Sequence, residues 1–387
     1  MRYKKLKYRN KVIIQILKKI PNFLKISLFV IFCHMTINAQ QRAPIVSPEI
    51  HADNTVTFRF MAPEAQKVEL NAQFLKERIA MTKDENGLWY VKTQPVTPDI
   101  YPYCFVVDGV TVSDPNNVNL FPNERFKNSL VDVMGKTPLI HSIQDVPHGK
   151  ITYEYYNSKI LDDTRPLLIY TPPGYNSQSE KRYPVLFLIH GMTDTHETWY
   201  KVGRINFILD NLIAQGKATP MIVVMPYANT RLSYLGTQIS VTQDTGVNLF
   251  NENLIKEIIP FVEHNYNVVA NGANRAIAGF SLGGRQTLDA GLTYPDLFSY
   301  VCAFAPAAGI ENFSNGIYAS ANDLTSKLKL LYLSCGIDDT LYPRALDIEK
   351  KLNETGVPFE KFFNSGGHTW MNCRIYFSEI TQKIFKE

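Results

Sequence analysis

The rhythm of apolar and polar positions changes near residue 150. Before it, short runs alternate: Thr55–Phe60, Lys67–Leu70 and Gly87–Lys92, the last following the turn Asp84-Glu-Asn-Gly87. Ile100–Val107 and Val110–Val112 flank Asp108-Gly109, a dipeptide suited to a tight hairpin turn. A period of two with no helical stripe of useful length predicts a small all-β sandwich over 40–135. Residues 136–149 carry turn formers and no period, and are expected to form a linker. From 150 to 387, apolar runs alternate with amphipathic stretches. Strands are expected at Leu167–Tyr170, Val185–Ile189, Met221–Met225, Ala276–Ala278, Tyr300–Phe304 and Leu330–Leu333. Helices fit at about 203–215, 250–265, 284–293, 343–354 and 371–385. Unbroken apolar strands between helices predict an α/β fold, a doubly wound and mostly parallel sheet covered on both faces.

The first 39 residues follow neither pattern. They hold nine Lys or Arg and no acid, and end in the apolar run Ile26–Ala39. A basic start, a short apolar stretch and a small residue before the break describe a secretory signal, with cleavage expected between Ala39 and Gln40. The run is short for a membrane span, which needs about 20 residues; a retained N-terminal anchor is the alternative. Export predicts a secreted or periplasmic protein with no membrane attachment after cleavage. Removing these nine charges from the formal +4 leaves −5, so the remaining chain makes no electrostatic case for nucleic acid. Cys104, Cys302, Cys335 and Cys373 are few and widely spaced, and are expected as buried thiols. No spacing suits a metal, and no organic cofactor is implied.

Candidate chemistry lies in the second half. Gly279-Phe-Ser281-Leu-Gly283 fits G-x-S-x-G between a predicted strand and a predicted helix, the context of a nucleophile elbow. Glycines on either side allow the tight turn, and the helix N-terminus favours developing negative charge. A serine nucleophile needs a base, and His368 is the only histidine after Ser281. The imidazole needs an orienting carboxylate, for which Asp338 and Asp339 both qualify after the strand at Leu330. The order serine, acid, histidine differs from that of chymotrypsin-like and subtilisin-like proteases. Two backbone donors are expected to hold the oxyanion: the N–H of Leu282, and the N–H of Met192 in His190-Gly-Met-Thr-Asp194. His190 is expected to be structural. Trp199, Tyr227 and Trp370 are candidate substrate-lining residues.

Leu188-Ile-His-Gly191, Pro220–Pro226, Asn274–Gly284, Cys335-Gly336 and Gly366-Gly-His-Thr-Trp370 give residues 150–387 a resemblance to carbohydrate esterase family 1, which holds feruloyl and acetylxylan esterases. The resemblance implies an α/β-hydrolase fold, a Ser281-His368-Asp339 triad and an ester substrate that is polysaccharide-linked or a small aromatic or acetyl ester. It selects Asp339, three residues after Gly336. Cys373 departs from the pattern, where relatives often carry a second Trp. Trp89-Tyr90, Tyr101-x-Tyr103-x-Phe105 and Asp114-Pro-Asn116 make the first half similar to immunoglobulin-like domains related to family 48 carbohydrate-binding modules. Those aromatics either stack on sugars, or fill the sandwich, or pack the domain over the active-site mouth. Expected functions are a secreted hemicellulose esterase, an enterochelin-type siderophore esterase with Arg204, Arg231 and Arg285 at a basic mouth, or an inert carbohydrate-binding protein. The oligomeric state is left open.

Overall fold

Two small antiparallel sheets face each other over residues 49–133. One has the order β1 (Glu49–Ile50), β2 (Val56–Met61), β6 (Leu88–Lys92), β5 (Thr82–Lys83). The other runs β4 (Ile79–Ala80), β3 (Val68–Ala72), β7 (Asp99–Val107), β8 (Val110–Val112), with β9 (Ser129–Val133) paired to β7. The computed structural model describes residues 44–230, 247–316 and 318–386; the predicted signal and Arg231 lie outside them. Phe58, Phe60, Trp89, Tyr101, Tyr103 and Phe105 are buried between the sheets. The indole N–H of Trp89 donates to the Ala62 carbonyl at 2.9 Å. These aromatics therefore fill the sandwich, while Tyr90 on the outer face is exposed. They are core material because a sheet one residue out of phase would turn them all to water.

The second half is an eight-stranded sheet of order β10-β11-β13-β12-β14-β15-β16-β17. Its strands are β10 (Lys150–Ser158), β11 (Asp163–Thr171), β12 (Val185–Ile189), β13 (Ile222–Pro226), β14 (Arg275–Phe280), β15 (Tyr300–Phe304), β16 (Leu330–Gly336) and β17 (Glu360–Asn364). Only β11 runs against the others. β12, β13, β14 and β15 are buried along their whole length, as a sheet covered on both faces requires. The helices are α1 (Thr198–Lys201), α2 (Ile205–Ala214), α3 (Val247–Asn265, with a π turn at Leu254–Ile258), α4 (Leu282–Thr293), α5 (Glu311–Ser314), α6 (Ala321–Lys327), α7 (Tyr342–Thr355) and α8 (Trp370–Thr381). Each strand expected in this half is present. The last helix ends at Thr381 instead of 385. β10, α1, α5 and α6 were not foreseen; β10 is an edge strand with only Tyr156 and Ser158 buried, so it lacks the apolar run that marks the others.

From Ser47 onward the chain forms one compact unit. The core on one face of the large sheet includes Ile100, Phe121 and Leu130 from the sandwich half beside Leu186, Trp199 and Phe377. The expected linker is pinned: the Asn211 amide donates to the carbonyls of Ile140 and Ser142, each at 2.9 Å. At the junction Arg374, fully buried on α8, donates to Asp99 on β7 and, at 2.8 Å, to the Val202 carbonyl.

Candidate active site

β14 ends against α4 with Ser281 between them at φ 59° and ψ −115°. A side chain in that region stores on the order of 1–3 kcal/mol of strain and persists where its surroundings hold it. Here the Ser281 N–H donates to the Phe304 carbonyl and its carbonyl accepts from Ala307, both at 2.9 Å. The two glycines are required by close approach. A Cβ on Gly279 would sit 2.4 Å from the Gly283 carbonyl oxygen, and one on Gly283 would sit 2.5 Å from those of Ile189 and His190. The serine is thus lifted over the sheet edge with the start of α4 pressed against β12. Leu282 is the first residue of α4, so its N–H belongs to the first turn, whose donors have no partner within the helix.

The loops after β16 and β17 bring in the acid and the imidazole. Asp339 is buried, and its Oδ2 lies 2.7 Å from His368 Nδ1. Its Oδ1 accepts from the Leu341 N–H at 2.8 Å, which fixes the carboxylate plane. Asp338 faces outward and accepts from the Gly366 N–H at 2.9 Å, tying the two loops together. Adjacent aspartates thus do different work because successive side chains point apart. The His368 ring stacks on Phe280, 4.3 Å between centroids, immediately before Ser281. About a third of the His368 side chain is exposed (32%), so part of the ring meets solvent.

The loop after β12 forms the opposite wall. A methyl placed on Gly191 would lie 3.5 Å from Ser281 Cβ, so the backbone carrying Met192 passes beside the serine. His190 is buried; it donates from Nδ1 to the Gly191 carbonyl at 2.8 Å and accepts at Nε2 from the Ala228 N–H at 2.9 Å. Those partners force one neutral tautomer, and burial pushes its pKa down to about 3, so it frames the loop and is not a base. Thr193 stands at φ 66°, an outlier for a β-branched residue. Asp194 is buried beneath the loop, and burial pushes its carboxyl up to about 7.

The expected substrate-lining residues are not surface groups. Trp199 has no exposed surface; its N–H donates to the Ile189 carbonyl at 3.0 Å and its ring meets Trp370 at 4.7 Å. It is a core residue, which corrects its assignment to the pocket. Trp370 and Tyr227 are also buried. Trp370 backs Phe280 at 5.9 Å, and the Tyr227 hydroxyl donates to Glu124 at 2.5 Å. Aromatic type near a motif does not distinguish a lining ring from a supporting one. Arg204 and Arg285 pair with Asp132 and Asp289, each at 3.5 Å.

The residues by which the first half reaches this site were not identified from the sequence. The loop between β8 and β9 reaches the hydrolase half, where Glu124 accepts from Tyr227 and, at 2.8 and 2.9 Å, from the Asn229 amide. Its N–H donates to the Thr193 carbonyl at 2.7 Å. The run Asp114–Asn128 is rich in Asn and Pro, which marks a loop but names no partner.

A serine on a strained strand-to-helix elbow, with an acid–imidazole pair at the ends of later strands, is the arrangement of an α/β-hydrolase. Residues 158–326 match the family model Esterase, described as putative esterase. The match includes Ser281 and ends before Asp339 and His368. The chain is 29% identical over 348 residues to an endo-1,4-beta-xylanase/feruloyl esterase of Xylanibacter ruminicola, covering 88% of this chain and 46% of that protein. It thus spans less than half the length of that relative. Among solved structures it is similar to a ferulic acid esterase, at TM-score 0.53 and 26% identity over 61% of this chain and 97% of the other. The enterobactin esterase of Shigella flexneri shares the fold at TM-score 0.64 and 17% identity, over 87% of this chain and 96% of the other.

Proposed function

We propose that the protein is a serine carboxylic-ester hydrolase that releases feruloyl or acetyl groups from hemicellulose. The observation that carries this reading is the 2.7 Å Asp339–His368 pair, with the imidazole stacked against the elbow that presents Ser281. Asp339 holds the Nδ1–H and leaves Nε2 to take the Ser281 proton. Ser281 Oγ then attacks the ester carbonyl; the oxyanion is received by the N–H groups of Leu282 and Met192. Collapse expels the sugar hydroxyl with the proton from His368. Water, deprotonated by the same imidazole, attacks the acyl-enzyme and releases the carboxylic acid and free Ser281. The name of the Xylanibacter relative supports an aromatic acyl group on xylan as substrate. The basic then apolar leader supports secretion or a periplasmic place of action.

A second reading, cleavage of a siderophore triester, is favoured by the fold shared with the enterobactin esterase over more of the chain than the hydrolase half contains. A tricatecholate is strongly anionic. The described arginines suggested for its mouth are paired with acids, and Glu124 adds a carboxylate near the loop after β12, which weighs toward the neutral ester. A hydrolysis panel of methyl ferulate, acetylated xylan and a tricatecholate siderophore decides between them. Release from the first two that vanishes in Ser281→Ala supports hemicellulose; release from the third alone moves the function to iron acquisition.

A further inference from the structure

The loop after β12 is held from outside the hydrolase half. Thr193 adopts a left-handed backbone, at φ 66°, one residue after Met192. Three bonds reach it and its neighbour from the loop between β8 and β9. The Asn123 amide donates to Thr193 Oγ1 at 3.0 Å and to Asp194 Oδ1 at 3.2 Å. The Glu124 N–H donates to the Thr193 carbonyl at 2.7 Å. Asn123 is itself buried, and its Oδ1 accepts from the N–H groups of Arg125 and Phe126 at 2.9 and 3.3 Å, so its amide orientation is fixed. An isolated bridge between Asn123 and Asp194 and the bond from Thr198 Oγ1 to the Pro122 carbonyl extend the same seam.

We propose that Asn123, in the sandwich half, is a positioning residue for ester hydrolysis: it locks Thr193 in its left-handed conformation and thereby aims the Met192 N–H at the developing oxyanion. The inference rests on the serine-esterase reading above. A β-branched residue leaves positive φ when it can, because its Cβ crowds the backbone there. Without the Asn123 amide, the loop relaxes toward negative φ and the Met192 N–H turns away. The substrate is still bound, since ground-state contacts are untouched; only the charge formed in the transition state loses a donor. The sandwich then takes part in catalysis without touching the substrate.

The test uses the full chain and 4-nitrophenyl acetate. Asn123→Ala is expected to lower kcat roughly tenfold to a hundredfold, on the scale of losing one oxyanion donor, with KM within about twofold. If Asn123→Ala does not fold, Asn123→Asp carries the test, since it keeps the shape and the Oδ1 contacts but has no N–H to donate. Val68→Ala, in the sandwich core, lowers the melting temperature and leaves kcat unchanged, separating stability from positioning. Adding Thr193→Gly to Asn123→Ala is expected to restore at least part of kcat, because glycine adopts positive φ without a clamp. Wild-type kcat in both Asn123 variants overturns the proposal. So does an equal kcat loss in Val68→Ala, or a double variant that recovers melting temperature but not kcat. Ser281→Ala runs beside them: full turnover there removes the serine mechanism itself, whereas a silent Ser281→Ala with unaffected Asn123 variants removes this inference alone.

Discussion

Ser281, His368 and Asp339 are expected to carry most of the rate, and loss of the first and of the last has different consequences. Ser281→Ala removes the nucleophile and should reduce turnover to background. Asp339→Asn keeps the shape but offers an amide to His368 Nδ1, favouring the wrong tautomer; a fall in kcat of about 10⁴ with little change in KM is expected, by analogy with the same change in a serine protease. Measured kcat and KM on one soluble ester check both. Asp194 makes a prediction about stability. Its carboxyl is pushed by burial to about 7, above the value near 3.9 of an unfolded chain. The folded state therefore keeps a proton that the unfolded state has released, and stability falls as pH rises from about 4 to about 7. Above that the loss is constant. Asp194→Asn has no such term, so its melting temperature should gain on the wild type between those values and hold the gain above pH 7. A difference that does not vary with pH would show that the carboxylate is not held neutral.

At the level of elements, the elbow was fully legible and the sandwich loop was not. A strand, two glycines, a serine and a helix follow one another without a gap from Arg275 to Thr293, and each demands the next through backbone geometry. Gly283→Ala tests this: its Cβ would enter the space of the carbonyls of Ile189, at the end of β12, and of His190, so a loss of about 1–3 kcal/mol and of activity is expected in denaturant unfolding and turnover. The choice between Asp338 and Asp339 could not be made from residue types, because it depends on which way two neighbouring side chains point after β16. Asn123 left no trace for a different reason. Its partners lie 70 and 71 residues away, and no periodicity links a sandwich loop to a hydrolase loop. The aromatics were misjudged because proximity in sequence carries no burial information: Trp199 lies beside a loop yet has no exposed surface.

In the whole molecule, the sandwich and the hydrolase half share apolar core and a buried charge. Arg374 on α8 meets Asp99 on β7 across 275 residues. Replacing it with Met leaves Asp99, which has little exposure, without its cation, at a cost of about 3 kcal/mol. Calorimetry is expected to show a lower melting temperature and, in the wild type, a single transition for both halves. That same contact sets an order of events during synthesis. The sandwich strands emerge first, but the rest of the cluster that holds Ile100, Phe121 and Leu130 runs from Ile140 to Phe385, and Arg374, which donates to Asp99, comes only with the last helix. A chain stopped before α8 therefore has an unfinished seam on both sides. Under the proposed mechanism Asp339 and His368 also follow Ser281 in the chain, so the proposed nucleophile lacks its base until the last stretch has been made.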